Sequence, residues 1–487
     1  MTNAPALFRS LIVYAICLPV AVILGYLLAT PLDFTSLGVE VIVLCVLAVP
    51  LLLRWHHILL IAAWNSTAVL FLVPGKPQVW MLLAGISLGI SILQYALNRN
   101  LRLLSARSVA WPLLFLTAVV LITARLTGGI SLRLFGGETY GGKNYIIILA
   151  AVIGYFAMIG HRIPPNRVRL YVALFFLGAG TMAIANLAGV INPKFNFLFL
   201  VFPVGSLDVF TEQNSMVGQT GFVPRLFGLA PLGLAIYCLM LARYGIRGVL
   251  EATKPWRLAV LGVAVLVSMM GGYRSTSILL ILAFALLFYL EGLHRTRLLL
   301  PMVLVLLAGG CLVTLFAARL PYPIQRSLAF LPIPLDPIVR FDAESSTEWR
   351  VQMWKDVLPE VPRYLLLGKG YSFSSTDQWL ARGLEQTEVV GNYHSGPLSV
   401  IIPFGLFGAI AFLWLVFAGI RVVYRNWRFG DPAFHDINAF LYSYFIAKVI
   451  FFFAIFGSLF SDLPMFLGML GLSVSLNGGV AQPAAEP

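Results

Sequence analysis

Long apolar runs recur along nearly the whole chain, and they leave it few folds to choose from. A segment of about 20 apolar residues can cross the ~30 Å hydrocarbon layer of a bilayer as a helix. Inside that layer only helices and closed barrels satisfy their own backbone hydrogen bonds. Fourteen candidate spans can be placed, at 10–29, 37–53, 58–74, 79–97, 109–125, 145–160, 170–191, 226–242, 258–272, 276–291, 298–317, 398–420, 438–459 and 461–477. Only 11% of the residues are charged, against about 25% in an ordinary soluble domain. The expected fold class is therefore an all-α polytopic membrane protein. The first run, Leu11–Leu28, is long for a signal peptide and lacks a small-x-small exit, so it reads as a retained span. Cys17, Cys45, Cys238 and Cys311 all lie inside apolar runs and read as packing residues.

The net charge of +13 is not a nucleic-acid footprint, because it lies in short loops between spans. There it orients helices, since cytoplasmic loops collect lysine and arginine. With the N-terminus inside, the inner connections hold Arg54, Arg99, Arg102, Arg107, Arg162, Arg167, Arg243, Arg247, Arg295, Arg421 and Arg425, among others. The short outer ones hold little beyond Lys76 and Arg274. Both termini are thus expected in the cytoplasm. Three longer segments fall outside: 126–144, 192–225 and 318–397. The last has eight basic and nine acidic residues, which suits a near-neutral folded cap with short helices. The expected organisation is a bundle of about eleven spans at 1–317, the large outer loop at 318–397, and C-terminal spans with a short tail at 398–487. Within the loop, Ser345-Ser346-Thr347-Glu348 reads as a capping box. It should open a helix with Trp349, Met353, Val357 and Val361 on one apolar stripe, ended by Pro362.

Three outer-side residues combine charge with a membrane boundary. Arg225 opens a span, Arg274 sits in the tight link Gly271-Gly272-Tyr273-Arg274-Ser275, and His394 immediately precedes the span near Leu398. A single such arginine is more often an interface anchor. Two beside glycine and small residues suit a phosphate group, which guanidinium grips in a bidentate fork. The other five histidines, His56, His57, His161, His294 and His435, fall in inner connections, so His394 is the one outer imidazole. It titrates near neutrality and could take a proton from a hydroxyl. Asp342-Ala343-Glu344 is the only outer string that could suggest a metal, and a solvated turn explains it better, so no metal or other cofactor is expected. Lys448, inside the span 438–459, is either functional or paired with a carbonyl or an acid.

Glu348-Trp349-Arg350, Trp354, Leu367-Gly368-Lys369-Gly370-Tyr371, and His394-Ser395 with Leu398, Gly405 and Gly408 together resemble the membrane signature of the O-antigen ligase and O-antigen polymerase family. Arg274-Ser275 resembles that family's Ser-Arg-Ser/Thr link, and Arg225 with Gly228 its Arg-x-x-Gly span start. The resemblance covers about residues 220–475; Ser395 departs from it, standing where the family usually has asparagine. It implies a glycosyltransferase of the bacterial inner membrane whose active site faces the periplasm. The donor would be a glycan on undecaprenyl pyrophosphate and the acceptor a glycan or lipid A–core hydroxyl. Transfer would invert the anomeric carbon and use no metal. His394 would be the catalytic base and Arg225 and Arg274 the pyrophosphate ligands. Arg350, Trp354, Gly368, Gly370 and Tyr393 would take supporting or acceptor-side places. The competing class is a polysaccharide or lipid flippase or another transporter. Such proteins tend to show repeated halves, broken helices and midplane charges; this sequence shows no internal symmetry and one midplane lysine.

Overall fold

The computed structural model describes residues 18–22, 25–26, 34–71, 73, 75–98, 104, 106–127, 142–203, 226–372 and 391–483. Among these, helices are the only regular elements, apart from one isolated antiparallel bridge between Val69 and Gln78. Ten helices are long and apolar enough to cross a membrane, and Trp256–Met269 and Arg274–Leu290 are shorter apolar helices. The chain is thus an all-helical, multi-pass membrane protein. It divides into two compact units, Met1–His56 and His57–Pro487.

Two expected spans are corrected. The runs 37–53 and 58–74 are not separate, because one helix, α1 (Phe34–Ala63), continues through Arg54-Trp55-His56-His57. Nothing in that tetrapeptide breaks a helix. The chain turns only at Trp64–Asn65, and residues 64–78 form the link that holds the Val69–Gln78 bridge. The expected span 10–29 lies for the most part outside the described residues.

The second unit is built from α2 (Val79–Leu97), α3 (Arg107–Thr127), α4 (Gly142–Ile159), α5 (Val168–Leu177), α6 (Thr181–Ile191), α7 (Leu229–Val249), α8 (Trp256–Met269), α9 (Arg274–Leu290) and α10 (Leu299–Phe316). Three cap helices follow, α11 (Tyr322–Ser327), α12 (Pro337–Val357) and α13 (Val361–Tyr364). The bundle ends with α14 (Gly396–Phe429), α15 (His435–Ala454) and α16 (Leu459–Asn477). α14 packs on α3, α15 and α16, and α16 also packs on α4. Their shared surface is apolar and wholly buried, with Phe404, Phe412, Phe440, Phe445, Phe452 and Phe466 among the largest side chains.

The cap corrects the sequence reading of its main helix. α12 begins at Pro337, where the Asp336 carboxylate accepts the Ile338 N–H, so Ser345–Glu348 lie inside the helix rather than before it. An Asp N-cap with proline in the first turn is the stronger start signal. The helix also ends at Val357, and Pro362 sits in the first turn of α13, where its missing N–H costs nothing. Met353 and Val357 are buried as expected, and they pack with Tyr393 and Ile402. Trp349 leaves the apolar stripe and stays 40% exposed.

α14 is broken at Gly405, whose φ of 61° and ψ of −160° are open to glycine but not to other residues at low cost. The cap fills the break. Lys369 N–H donates to the Ile402 carbonyl and Gly370 N–H to the Pro403 carbonyl, both at 2.9 Å, and Leu406 N–H returns a bond to the Leu365 carbonyl at 2.6 Å. Gly368 and Gly370 take φ of 75° and 65° to make this turn. A side chain on Gly368 would collide with the Pro403 carbonyl.

Lys448 is paired, as one of its two expected readings had it. Its Nζ lies 3.0 Å from Asp462 Oδ1, and Asp462 Oδ2 accepts the Ser458 N–H at 2.9 Å. Ser458 Oγ then donates to the Gly391 carbonyl at 3.2 Å, three residues before His394. Removing one partner of a buried pair strands the other charge, at about 3–5 kcal/mol, whereas replacing both by apolar residues is often neutral. Lys448→Met should therefore lower the thermal unfolding midpoint in detergent sharply. Lys448→Met with Asp462→Leu should recover most of the loss, and equal melting of the single variant and the wild type would show that the pair holds nothing together.

Candidate active site

The site is assembled where the cap meets the ends of α9 and α14. Its foundation is Arg326 of α11, which is 4% exposed. The guanidinium donates through Nε to Asp342 of α12 and through Nη1 to the Gly272 carbonyl at 2.6 Å. Next to it, Ser327 Oγ donates to the Met269 carbonyl at 2.7 Å. These bonds pin α11 and α12 to the tight α8–α9 link. A side chain on Gly271 would strike Ala230 of α7, so the link must be small to lie this close.

Arg274 starts α9 from that link, and its Nη1 donates to Thr347 Oγ1 of α12 at 3.0 Å. Arg350 lies one turn further along α12. Its guanidinium carbon is 5.8 Å from the centroid of the Phe456 ring, and no ion pair joins it to a carboxylate among the described residues. Burial, followed by the charges of Arg274 and Arg326, lowers the Arg350 pKa from its ordinary value. Three guanidinium groups thus share one neighbourhood, and among the described residues the one carboxylate in an ion pair with them is that of Asp342. Such a surplus of cations in a partly dry site favours a multiply charged anion.

His394 borders this cluster. Its ring lies between Trp349, 5.3 Å away by centroids, and Phe456, 4.9 Å away. Nδ1 has no hydrogen-bond partner among the described residues. A loop histidine spent on backbone would show such a partner. The backbone of His394 has φ of 49°, in the left-handed region that costs a residue with a side chain about 1–3 kcal/mol. Its neighbours hold it there: Trp354 Nε1 donates to the Tyr393 carbonyl at 2.8 Å, and the Ser395 carbonyl accepts Ser399 N–H at 2.9 Å. Burial, and then the Arg350 guanidinium, push the imidazole down to about 4. The ring is therefore neutral at pH 7 and can accept a proton.

The other histidines of this unit lie elsewhere. His161 follows α4 and packs against the far end of α16, where Ile163 N–H donates to the Ser475 carbonyl at 3.0 Å. Ser458 and the His394 loop meet at the near end of α16, about 28 Å away along a 19-residue helix. His57 sits with His161, their rings 5.6 Å apart. His294 and His435 follow the ends of α9 and α14 opposite Arg274 and His394.

The expected residues thus separate. Arg274, Arg350 and His394 come together. Trp354 and Tyr393 support the loop, with the Tyr393 ring buried beside Met353 and Val357 rather than facing an acceptor. Gly368 and Gly370 clamp the break in α14 and do not line the cluster. Arg225 lies outside the described residues. Asp342 and Glu344 do not converge, because Asp342 is buried on Arg326 while Glu344 faces outward. Among the described residues no group of three or more histidine, cysteine or acidic side chains could hold a metal ion. Sequence reasoning missed Arg326 and Phe456. Arg326 follows no boundary pattern, and Phe456 is one of many phenylalanines.

No curated protein matches the chain closely enough to carry a comparison. A family model described as O-antigen ligase does match, over residues 258–413. That stretch runs from α8 through the cap into α14 and contains Arg274, Arg326, Arg350 and His394. Through residues 258–413, the chain is similar to the O-antigen ligase family.

Proposed function

We propose that this protein transfers a glycan from undecaprenyl pyrophosphate to an acceptor hydroxyl at the outer face of the bacterial inner membrane. Both termini lie inside, and the segment 318–397 lies on the outer side between the spans of 1–317 and those of 398–487. The observation that carries the reading is a neutral histidine whose Nδ1 has no hydrogen-bond partner among the described residues, set beside Arg274 and Arg350, which form no ion pair among those residues.

The chemistry follows from those groups. An acceptor hydroxyl attacks weakly unless its proton leaves as the new bond forms, and His394 takes that proton. The oxygen attacks the anomeric carbon from the face opposite the pyrophosphate, so the configuration inverts. The carbon–oxygen bond to the pyrophosphate breaks, and its electron pair stays with the leaving group. Arg274 and Arg350 hold that developing charge through fixed hydrogen-bond donors. With the leaving group held in this way, no metal is required. Arg225 is the further candidate for the same grip. Trp349 and Phe456 flank the imidazole and limit its access to water. The broken helix α14 is a feature shared with transporters. Here, however, the break is filled by cap backbone, which argues for a fixed platform under His394.

A bound pyrophosphate beside Arg350 would offset the charge that depresses His394. The base therefore strengthens when donor is present. In the free enzyme a lowered pKa leaves His394 neutral above about 4, so kcat/KM should fall only as pH drops towards about 4. The acid limb of kcat should lie higher, because the complex carries the anion. Coincident limbs near 6.5 would contradict this arrangement.

His394→Asn should keep the left-handed backbone, which asparagine tolerates, and should still bind donor. Its transfer rate should drop on the order of 10²–10⁴-fold. Substantial transfer by this well-folded variant would place the base elsewhere. Arg274→Lys and Arg350→Lys keep the charge and lose the fork, so each should cost roughly 10–100-fold in donor turnover. Wild-type rates in both would reduce these arginines to interface anchors. A reporter fused at about residue 380 should read as external, and a cytoplasmic signal would overturn the topology.

A further inference from the structure

Beside the arginine cluster the cap holds a second concave surface, a groove of about 660 Å³ between the 329–335 segment and one face of α12. That size falls within the range of roughly 300–1,000 Å³ typical of small-ligand clefts. Arg340, Glu344, Thr347 and Glu348 line it at helical spacing, so all four face the same way. Arg274 closes one part of the wall. Leu331, Pro332, Pro334 and Leu335 supply the facing apolar surface.

Apart from Arg274, the charges in this groove are not used by the fold among the described residues. Arg340, Glu344 and Glu348 are exposed, and no ion pair joins any of them to a partner among the described residues. Glu344 and Glu348 are one turn apart, where like charges repel. Two guanidinium groups and two carboxylates sum to zero. A polyprenyl chain would leave four charges desolvated. A metal cation would meet two guanidinium groups, and a free anion would meet two carboxylates. A neutral ligand dense in hydroxyls satisfies all of them, since carboxylates accept and guanidinium donates. The prolines and leucines match the C–H faces that such a ligand also presents.

We propose that this groove is a glycan subsite, which takes uncharged or zwitterionic sugar rings adjoining the bond that is made or broken. The proposal rests on the transfer reading above, through Arg274, which belongs to both the groove wall and the pyrophosphate grip. The sugars can come from the donor glycan or from the acceptor glycan. The chemistry of recognition is the same for both.

The test uses the full chain in lipid nanodiscs, with Glu344→Gln, Glu348→Gln, the double variant, and Arg340→Gln. These side chains are exposed and outside the catalytic cluster, so the variants should fold. Steady-state rates are measured with donor and acceptor varied separately. Saturation-transfer NMR reads the binding of free, lipid-free oligosaccharides released from donor and from acceptor. The double variant should raise KM for one substrate by about tenfold or more, with kcat held within about twofold, and should weaken the saturation-transfer signal of the matching oligosaccharide. A raised donor KM assigns the groove to the transferred glycan, and a raised acceptor KM assigns it to the receiving one. Unchanged KM for both substrates, with an undiminished signal, overturns the glycan subsite while leaving the transfer reading intact. If the wild type turns over no lipid-linked glycan, the transfer reading falls, and the NMR comparison alone still decides whether the groove binds sugar.

Discussion

One buried guanidinium, that of Arg326, ties together the three segments that make the site. It reaches the Gly272 carbonyl of the α8–α9 link and the Asp342 carboxylate of α12, and it sits on α11 itself. The link carries Arg274, and α12 carries Arg350, Thr347 and Trp349. Loss of either member of the Arg326–Asp342 pair would strand the other charge in a buried place and would loosen α12 from the α8–α9 link. The ionic contact is therefore what gives the cap a defined height and rotation over the membrane helices. An apolar contact of similar area could slide, but a guanidinium fork with two fixed acceptors cannot.

The second anchor lies under His394. The break at Gly405 separates a short first stretch of α14 from its longer remainder, and the cap turn Gly368–Gly370 inserts its N–H groups into the gap. A broken helix in an apolar bundle leaves carbonyls unsatisfied, and such groups are costly in a membrane. The cap supplies the missing donors, so fold and cap stabilise one another. From the other side, Lys448, Asp462 and Ser458 hold Gly391. His394 is suspended between these two anchors in a strained conformation, with no hydrogen-bond partner at its ring nitrogen Nδ1 among the described residues. Strain of this kind persists only where the surroundings over-determine it.

The electrostatics of the site point the same way. Arg274, Arg326 and Arg350 repel one another, and the Asp342 carboxylate, bonded to Arg326 and also acting on Arg274, offsets only part of that charge. The fold tolerates the remaining surplus because the packing around Arg326 and Phe456 holds the groups in place. A dianionic ligand would relieve the repulsion and at the same time offset the part of the His394 shift that comes from Arg350, leaving the larger part that comes from burial. In the proposed reaction, grip and base would thus be coupled through Arg350, whose charge acts on His394.

Much of this could be read from the residues alone. Apolar length and the scarcity of charge dictated a multi-pass helical protein, because a bilayer allows few alternatives. Boundary placement singled out Arg274 and His394, and the pattern Glu348-Trp349-Arg350 with Gly-Lys-Gly marked the cap. Helix continuity was not legible, since a short charged stretch such as Arg54–His57 can either turn or stay helical, and only packing decides. The start of α12 was present in Asp336-Pro337 but was masked by a second capping pattern downstream. Arg326 and Phe456 have no sequence signature, because their roles exist only through residues more than fifteen or fifty positions away. What the sequence determined was which residues stand at the membrane boundary, a one-dimensional property of hydrophobicity and charge. Which of them share a site was decided by buried pairs and a broken helix, whose energies depend on distances that only the tertiary structure sets.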